Sequence, residues 1–362
     1  MKNSYNKILI ISSGLVVLGC LFFVGFVYFL PSENLAEKPS ISVVDNQTDP
    51  QIVPKTVPAV LYLTTMTHLE DAWVEAATQE IYFKRVAEEV RYGMDLAEDY
   101  DAILTIETGL PFAEGCVNFD DNVMAEVLER GHGVGVHPDL PAKKVLPTEL
   151  ATDFIKKRID ALKKLVDTDI IGCSGVSAKS DWYTASLQAG CSFVDGTVAF
   201  AYLSMPMSAR PDGYTDEAIL TSLFHRPAPL GDERFYPFWI NSCEDFVPDK
   251  DGDLLLGSGE TFSLAMYAEI GDRNGVHPEC GNDCPLTTDD VETFVREITD
   301  FANGRDTARI AKFNVYFPSN LFVPENKKVL ELFFKEAQKL QNSGVLQWAS
   351  QAKIYEVMVV DR

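Results

Sequence analysis

Positive charge is scarce in this chain of 362 residues. Only 31 lysines and arginines stand against 54 aspartates and glutamates, a formal net charge of -23. Nucleic acid needs a basic face that can neutralise phosphates, so that class of partner is set aside. Internal repeats and low-complexity tracts are missing too, which sets aside solenoids and disordered scaffolds. Long apolar runs are missing with one exception, residues 8–30, where Ser12 and Ser13 are the only mild breaks. That run is long enough to span a bilayer. Lys2 and Lys7 precede it, and the ten residues after it carry only Glu33, Glu37 and Lys38 as charges. The positive-inside tendency predicts a single-pass anchor, with residues 1–7 in the cytoplasm and the rest extracellular or periplasmic. A cleaved signal peptide is the competing reading, although no small-residue cleavage site follows the run. Val17-Leu18-Gly19-Cys20 faintly matches a lipoprotein box, but ten more apolar residues come after it.

Residues 31–57 are polar and aperiodic and read as a linker. Residues 58–362 are then one large domain, long enough for a well-buried core. Six cysteines fall on the exported side: Cys116, Cys173, Cys191, Cys243, Cys280 and Cys284. An oxidising compartment permits up to three disulfides among them, in about fifteen full connectivities. A local Cys280–Cys284 bridge is favoured over a zinc knot with His277, which lacks a fourth ligand.

Strand and helix signals alternate through this domain. Strands are expected at 60–67, 102–106, 134–137, 170–173, 192–198, 313–317 and 345–348. Helices are expected at 79–98, 122–130, 147–167, 181–189, 287–302, 325–341 and 350–358. In the first helix Ile81, Val86, Val90, Met94 and Leu96 are the candidate core positions. Asp181, Thr148 and Thr287 or Thr288 are the candidate caps. Residues 204–270 break the rhythm with Pro, Gly, Asp and aromatics, and read as excursions over one mouth of the fold. Repeated strand–helix units of this size give an α/β fold with a parallel sheet, open or closed into a barrel.

Two strands end in histidine. Gly131-His132-Gly133-Val134-Gly135-Val136-His137-Pro138-Asp139 places His137 where a buried strand runs out. The run from Val60 to Thr67 leads into His68-Leu69-Glu70-Asp71. In α/β folds such strand ends carry the chemistry. His68 and Glu70, two apart, face one way, and His137 would join them from a second strand. Two imidazoles with a carboxylate suit a divalent metal used for hydrolysis, with zinc as the expected ion. Hydrogen-bonded structural histidines are the alternative. His132, at odd spacing from His137, reads as a structural residue at a helix end. Asp139 is a further ligand or base, or a turn cap. Asp249, Asp251, Asp253 and Glu260 fit a calcium loop only in part, because Leu254 stands where glycine is required, and a turn at 250–253 is preferred. Tyr202, Tyr214, Tyr236, Phe238 and Trp239 either stack on carbohydrate or pack the core.

The stretch 131–137 resembles the Gly-His-Glu-Ile-Gly-x-His signature of polysaccharide deacetylases of the NodB-homology type. More broadly it is similar to the glycoside hydrolase/deacetylase superfamily. The order of elements over most of residues 58–360 agrees. The resemblance implies a distorted (β/α)7-type barrel and metal-dependent removal of acetyl groups from a cell-surface or extracellular polysaccharide. It puts His137 at the family's first histidine ligand, and residues 68–71 where the family has paired aspartates. The implied metal ligands are His68, Glu70 and His137, with Asp71 or Asp139 as base. The chain departs from the family at Pro141, where a second ligand histidine is usual, and at 172–175, where an arginine motif is usual. No late Leu-x-His motif is evident; His225 is a candidate to replace it, on which the sequence carries no further signal. A glycan-binding relative without activity, or a glycosidase using two of Glu70, Asp71, Glu107 and Asp139, are the alternatives.

Overall fold

The hub of the sheet is β1 (Leu61–Leu69). Its sequence, LYLTTMTHL, is apolar or β-branched at every position but one, and every residue except His68 is buried. A strand covered on both faces belongs in a parallel sheet flanked by helices. The computed structural model describes residues 59–224, 226–257 and 286–362, and the backbone of 262–263. The expected membrane anchor (8–30) and linker (31–57) lie outside the described residues, as do His225, Glu260, His277, Cys280 and Cys284. Among the described residues no helix is long and apolar enough to cross a membrane.

After β1 come helices α1 (Glu75–Thr78) and α2 (Glu80–Glu98), then strand β2 (Thr105–Thr108). Helices α3 (Leu110–Asn118) and α4 (Val123–Glu129) lead to β3 (Gly133–Val136). The alternation continues with α5 (Thr148–Leu162), β4 (Gly172–Cys173), α6 (Trp182–Ala189) and β5 (Phe193–Val194). Short 3-10 turns and α7 (Asp216–Thr221) precede β6 (Phe238–Ile240), β7 (Leu254–Leu256) and β8 (Phe262–Ser263). The chain ends with α8 (Thr288–Gly304), β9 (Ala311–Tyr316), α9 (Lys327–Asn342), β10 (Gln347–Trp348) and α10 (Gln351–Val360).

The strands lie in the order β6-β7-β5-β4-β3-β2-β1-β9-β8, with β10 also on β1. All pairings are parallel except β6 with β7. β1 pairs β9 from Leu61 to Met66 and β2 from Thr67 to Leu69. Switching neighbours along one strand curls the sheet. The result is an α/β half-barrel of mixed pairing, and the described strands do not form the seven equal strand–helix units expected from the sequence. The turn at Asp249, where Gly252 N donates to the Asp249 carbonyl, joins β6 to β7.

Helix α2 buries Phe83, Val86, Val90, Met94 and Ala97. Ile81, expected in that core, is 89% exposed. The buried stripe recurs at three- and four-residue spacing through 83, 86, 87, 90, 94 and 97, and position 81, two before 83 and five before 86, falls on another face. Helix α6 is capped by Asp181, which accepts from Thr184 N at 3.0 Å, and α8 begins with a Thr287–Asp290 capping box. Helix α5 starts after Pro147 without a side-chain cap, so Thr148 is its first helical residue instead of its cap. Helix α3 is an addition to the expected elements; its Gly115 packs where a Cβ would meet the Ala76 carbonyl at 2.3 Å.

Inside the barrel lies a polar column. Lys312 on β9 is fully buried, with Nζ 2.6 Å from Asp195 Oδ1 and 3.0 Å from Gln351 Oε1. Gln351 donates to Asn314 Oδ1 at 2.7 Å, and Thr64 donates to the same oxygen at 2.8 Å. Burial pushes the Asp195 carboxyl up to about 6, against the pull of the Lys312 charge.

Cys173, the last residue of β4, is joined to Cys191 by a disulfide closing 18 residues. Cys116 and Cys243 are buried and have no disulfide partner among the described residues. Loop closure of this size stabilises by about 3 kcal/mol. The Cys173→Ser/Cys191→Ser pair is therefore expected to lower the urea midpoint by a matching amount, and the same loss should follow reduction of the unaltered protein.

Candidate metal centre

Strand register brings the site together. His68 on β1 lies opposite Glu107 on β2, and Glu107 lies opposite Gly135 on β3. His137 follows β3 and shares its face with Gly135, because side chains alternate. Ser174 follows β4 and is held by its N–H to the Val136 carbonyl at 3.0 Å. All four sit at carboxyl ends of parallel strands, the edge where such sheets place ligands.

The His68 and His137 rings stack, with centroids 3.8 Å apart and planes 20° from parallel. Each ring therefore has two working edges. On one edge His137 Nε2 is 3.0 Å from Asp139 Oδ1 and 3.4 Å from Glu70 Oε2. Glu70 Oε1 reaches back to within 3.9 Å of His68 Nδ1. On the other edge His68 Nε2 is 3.1 Å from Glu107 Oε2, and His137 Nδ1 is 2.7 Å from Ser174 Oγ. The first edge opens into a cavity of about 630 Å³ lined by His68, Glu70, His137 and Asp139, with Trp73, Tyr82, Phe200 and Tyr316 among its walls. The second edge faces the barrel interior, where Glu107 is fully buried.

Two imidazolium rings at this distance would repel, which disfavours a charge on both. Burial and then the neighbouring His137 charge push His68 down to about 3. Burial opposes a charge on His137 too, but the hydrogen bonds and charges of Asp139 and Glu70 outweigh it and raise that ring well above its ordinary value. Burial works to raise Asp139, yet its hydrogen bond to His137 wins and holds the carboxyl at about 2. Burial lifts Glu107 to about 7.

Asp139 reaches His137 because its backbone is left-handed, with φ 51°. Aspartate is one of the few residues that tolerate this. The turn is fixed by Leu140 N, which donates to the Gly175 carbonyl at 2.8 Å. Gly175, at φ 60°, leaves room for the imidazole; a Cβ there would meet His137 Cε1 at 2.7 Å. Gly175→Ala combines a left-handed cost of about 1–2 kcal/mol with that collision. It is expected to lower stability and displace the His137 ring, read by melting temperature and by the imidazole resonances.

Four of the five residues singled out in the sequence thus meet: His68, Glu70, His137 and Asp139. Asp71 does not join them. Its Oδ1 caps α3 by accepting from Leu110 N at 2.8 Å, and its Oδ2 lies 2.5 Å from Arg158 Nη2. Asp71 is thus engaged by a guanidinium and a helix start and stands apart from the two rings. His132 is structural as read: Nδ1 accepts from Leu104 N at 3.1 Å and Nε2 faces Glu98 at 3.3 Å. Of the aromatic residues named for stacking, Tyr202, Tyr236, Phe238 and Trp239 are buried, and Tyr214 is half-buried and packed against the core. The aromatic walls of the cavity come from elsewhere, chiefly Trp73 and Tyr82, whose rings meet edge to face at 6.5 Å. Ser174 and Glu107 join the site through strand register, with no spacing motif in the sequence that marks them. A lone glutamate in an apolar β run was the available signal for Glu107.

No protein-family model matches the sequence, and no curated protein matches it either. Solved structures do. One, assigned as a polysaccharide deacetylase from Mycobacterium smegmatis, superposes with a TM-score of 0.50 over 84% of this chain and 92% of that one, at 12% identity. Another, assigned as a glycoside hydrolase/deacetylase from Parabacteroides distasonis, gives 0.52 over 84% and 72%, at 13% identity. What the chain shares with these two structures is the fold, an α/β barrel. At such low identity the likeness is one of architecture alone.

The residues present fit a divalent metal. Among the described residues two groups of three donors have ligand atoms within 4.8 Å of one another: Glu70, His137 and Asp139 on the cavity edge, and His68, Glu107 and His137 on the inner edge. Mixed imidazole and carboxylate donors are the set that zinc takes at hydrolytic centres.

Proposed function

We propose that this protein is a metal-dependent hydrolase that removes acetyl groups from an extracellular glycan. One observation carries the reading: two imidazoles and two carboxylates converge on one cavity at the carboxyl edge of a deacetylase-type barrel. In this reading His68, Glu70 and His137 hold the ion, with zinc favoured by the donor set. When bound, such an ion polarises an acyl oxygen and acidifies water.

Asp139 is the base. Ligation requires a neutral His137, which removes the cation that holds Asp139 down. Asp139 then takes a proton from the attacking water as the water oxygen bonds to the acetyl carbon. The bond from that carbon to the sugar nitrogen or oxygen breaks, acetate leaves, and the proton passes to the sugar. Trp73 and Tyr82 offer flat faces to a sugar ring, and Tyr316 packs against His68 with ring centroids 4.8 Å apart. The Cys173–Cys191 disulfide supports an exported domain, because such bonds persist in oxidising compartments. The proposed anchor at residues 8–30 would then hold the domain at the membrane surface.

Incubation with acetylated oligosaccharides tests the reading. Acetate should appear, stop on chelation and return with zinc. Release of reducing ends instead would favour a glycosidase, and binding without any release would favour an inactive relative; either result refutes the proposal.

A further inference from the structure

The inner edge of the histidine pair carries a connected, buried set of groups for which the proposed chemistry has no use. Ser174 Oγ donates to Glu107 Oε2 at 2.5 Å. A hydroxyl has one proton, so with that proton committed its oxygen must accept at its other contact, His137 Nδ1 at 2.7 Å. Nδ1 therefore carries a proton, and the ring can offer a lone pair only from Nε2, the nitrogen facing Glu70, Asp139 and the cavity. The geometry points to Ser174 and Glu107 as positioning residues that fix the tautomer and orientation of His137 for metal binding. The inference rests on the reading above that an ion sits on the cavity edge.

The surroundings are built for this contact. Ser174 and Glu107 are fully buried, so water does not compete for the hydrogen bonds. Gly135, in register with Glu107, makes the approach possible: a Cβ there would meet Glu107 Cγ at 3.2 Å and the Gly172 carbonyl at 3.1 Å. Glu107 Oε2 also lies 3.1 Å from His68 Nε2, so one carboxylate stands behind both rings. The adjacent Cys173–Cys191 bridge ties down the strand end that carries Ser174. Partners of this kind behind a ligating histidine typically govern metal affinity by about 10–100-fold.

Ser174→Ala and Glu107→Gln test the assignment, with two readouts. The first is zinc affinity of the metal-free full chain, measured by chelator competition, with His137→Ala as reference. Each variant should bind zinc about 10–100-fold more weakly than the unaltered protein. Affinity within twofold of the unaltered protein overturns the assignment. So does a loss in Glu107→Gln as complete as in His137→Ala, which would make Glu107 a ligand. The second readout is the His137 Nδ1–H proton in the NMR spectrum of metal-free protein. It should be present and slow to exchange in the unaltered chain, and lost to solvent exchange in Ser174→Ala. Its absence from the unaltered chain overturns the assignment whatever zinc does. If the unaltered protein binds no zinc, the hydrolase reading fails while the NMR result still decides the hydrogen-bond chain. Glu107→Gln keeps the shape of the side chain, so a folded variant remains if Ser174→Ala proves unstable.

Discussion

His137→Ala is expected to abolish stoichiometric zinc binding and to lower acetate release by on the order of 10³-fold or more, since metal polarisation is worth several kcal/mol at the transition state. The ring is central to both edges of the site. Its Nε2 lies within 3.4 Å of two carboxylates and its Nδ1 is bonded to Ser174. Asp71→Asn is the informative control. Asp71 neighbours Glu70 in sequence but is bonded to Arg158 and Leu110 N, away from the rings. Its loss should weaken the fold, by about 3 kcal/mol for a largely buried pair, and leave zinc stoichiometry unchanged. Zinc content by elemental analysis together with urea denaturation separates the two variants. Loss of zinc in Asp71→Asn with His137→Ala still loaded would reverse the assignments.

Lys312→Met is expected to be the most damaging change to stability away from the site, at about 3–5 kcal/mol. Lys312 and Asp195 are both completely buried and lie 2.6 Å apart. Removing the ammonium leaves a carboxylate without its counter-charge, and among the described residues Asp195 Oδ2 has no hydrogen-bond partner. The cost should therefore shrink when Asp195→Asn is added, because the stranded charge is then gone. Urea denaturation of the two single variants and the double variant checks this. A double variant as unstable as the sum of the singles would show that the pair is not coupled.

The sequence makes the edge of the sheet legible and leaves its interior obscure. His68 and His137 stand out because each ends an apolar, β-rich run, and a strand end is where a polar side chain can be both held and reached. Glu70 and Asp139 follow by two-residue spacing. Spacing alone does not tell that Asp71, next in sequence to Glu70, meets an arginine 87 positions away. Glu107, Lys312 and Asp195 each read as a stray charge in an apolar stretch, and their pairing depends on strand register, which a single sequence does not determine. The mixed, half-open sheet was hidden for a similar reason: β6 and β7 are three residues each, inside the stretch that breaks the strand–helix rhythm. The aromatic residues of that stretch pack the core, and the cavity draws on Trp73 and Tyr82 at the start of the first helical region.

Diffraction at the zinc absorption edge, from crystals grown with zinc, tests the central claim most directly. One strong anomalous peak is expected on the cavity side of the stacked rings, bonded to His68, His137 and Glu70. A peak on the interior side, bonded to Glu107, or none between these residues, would contradict it.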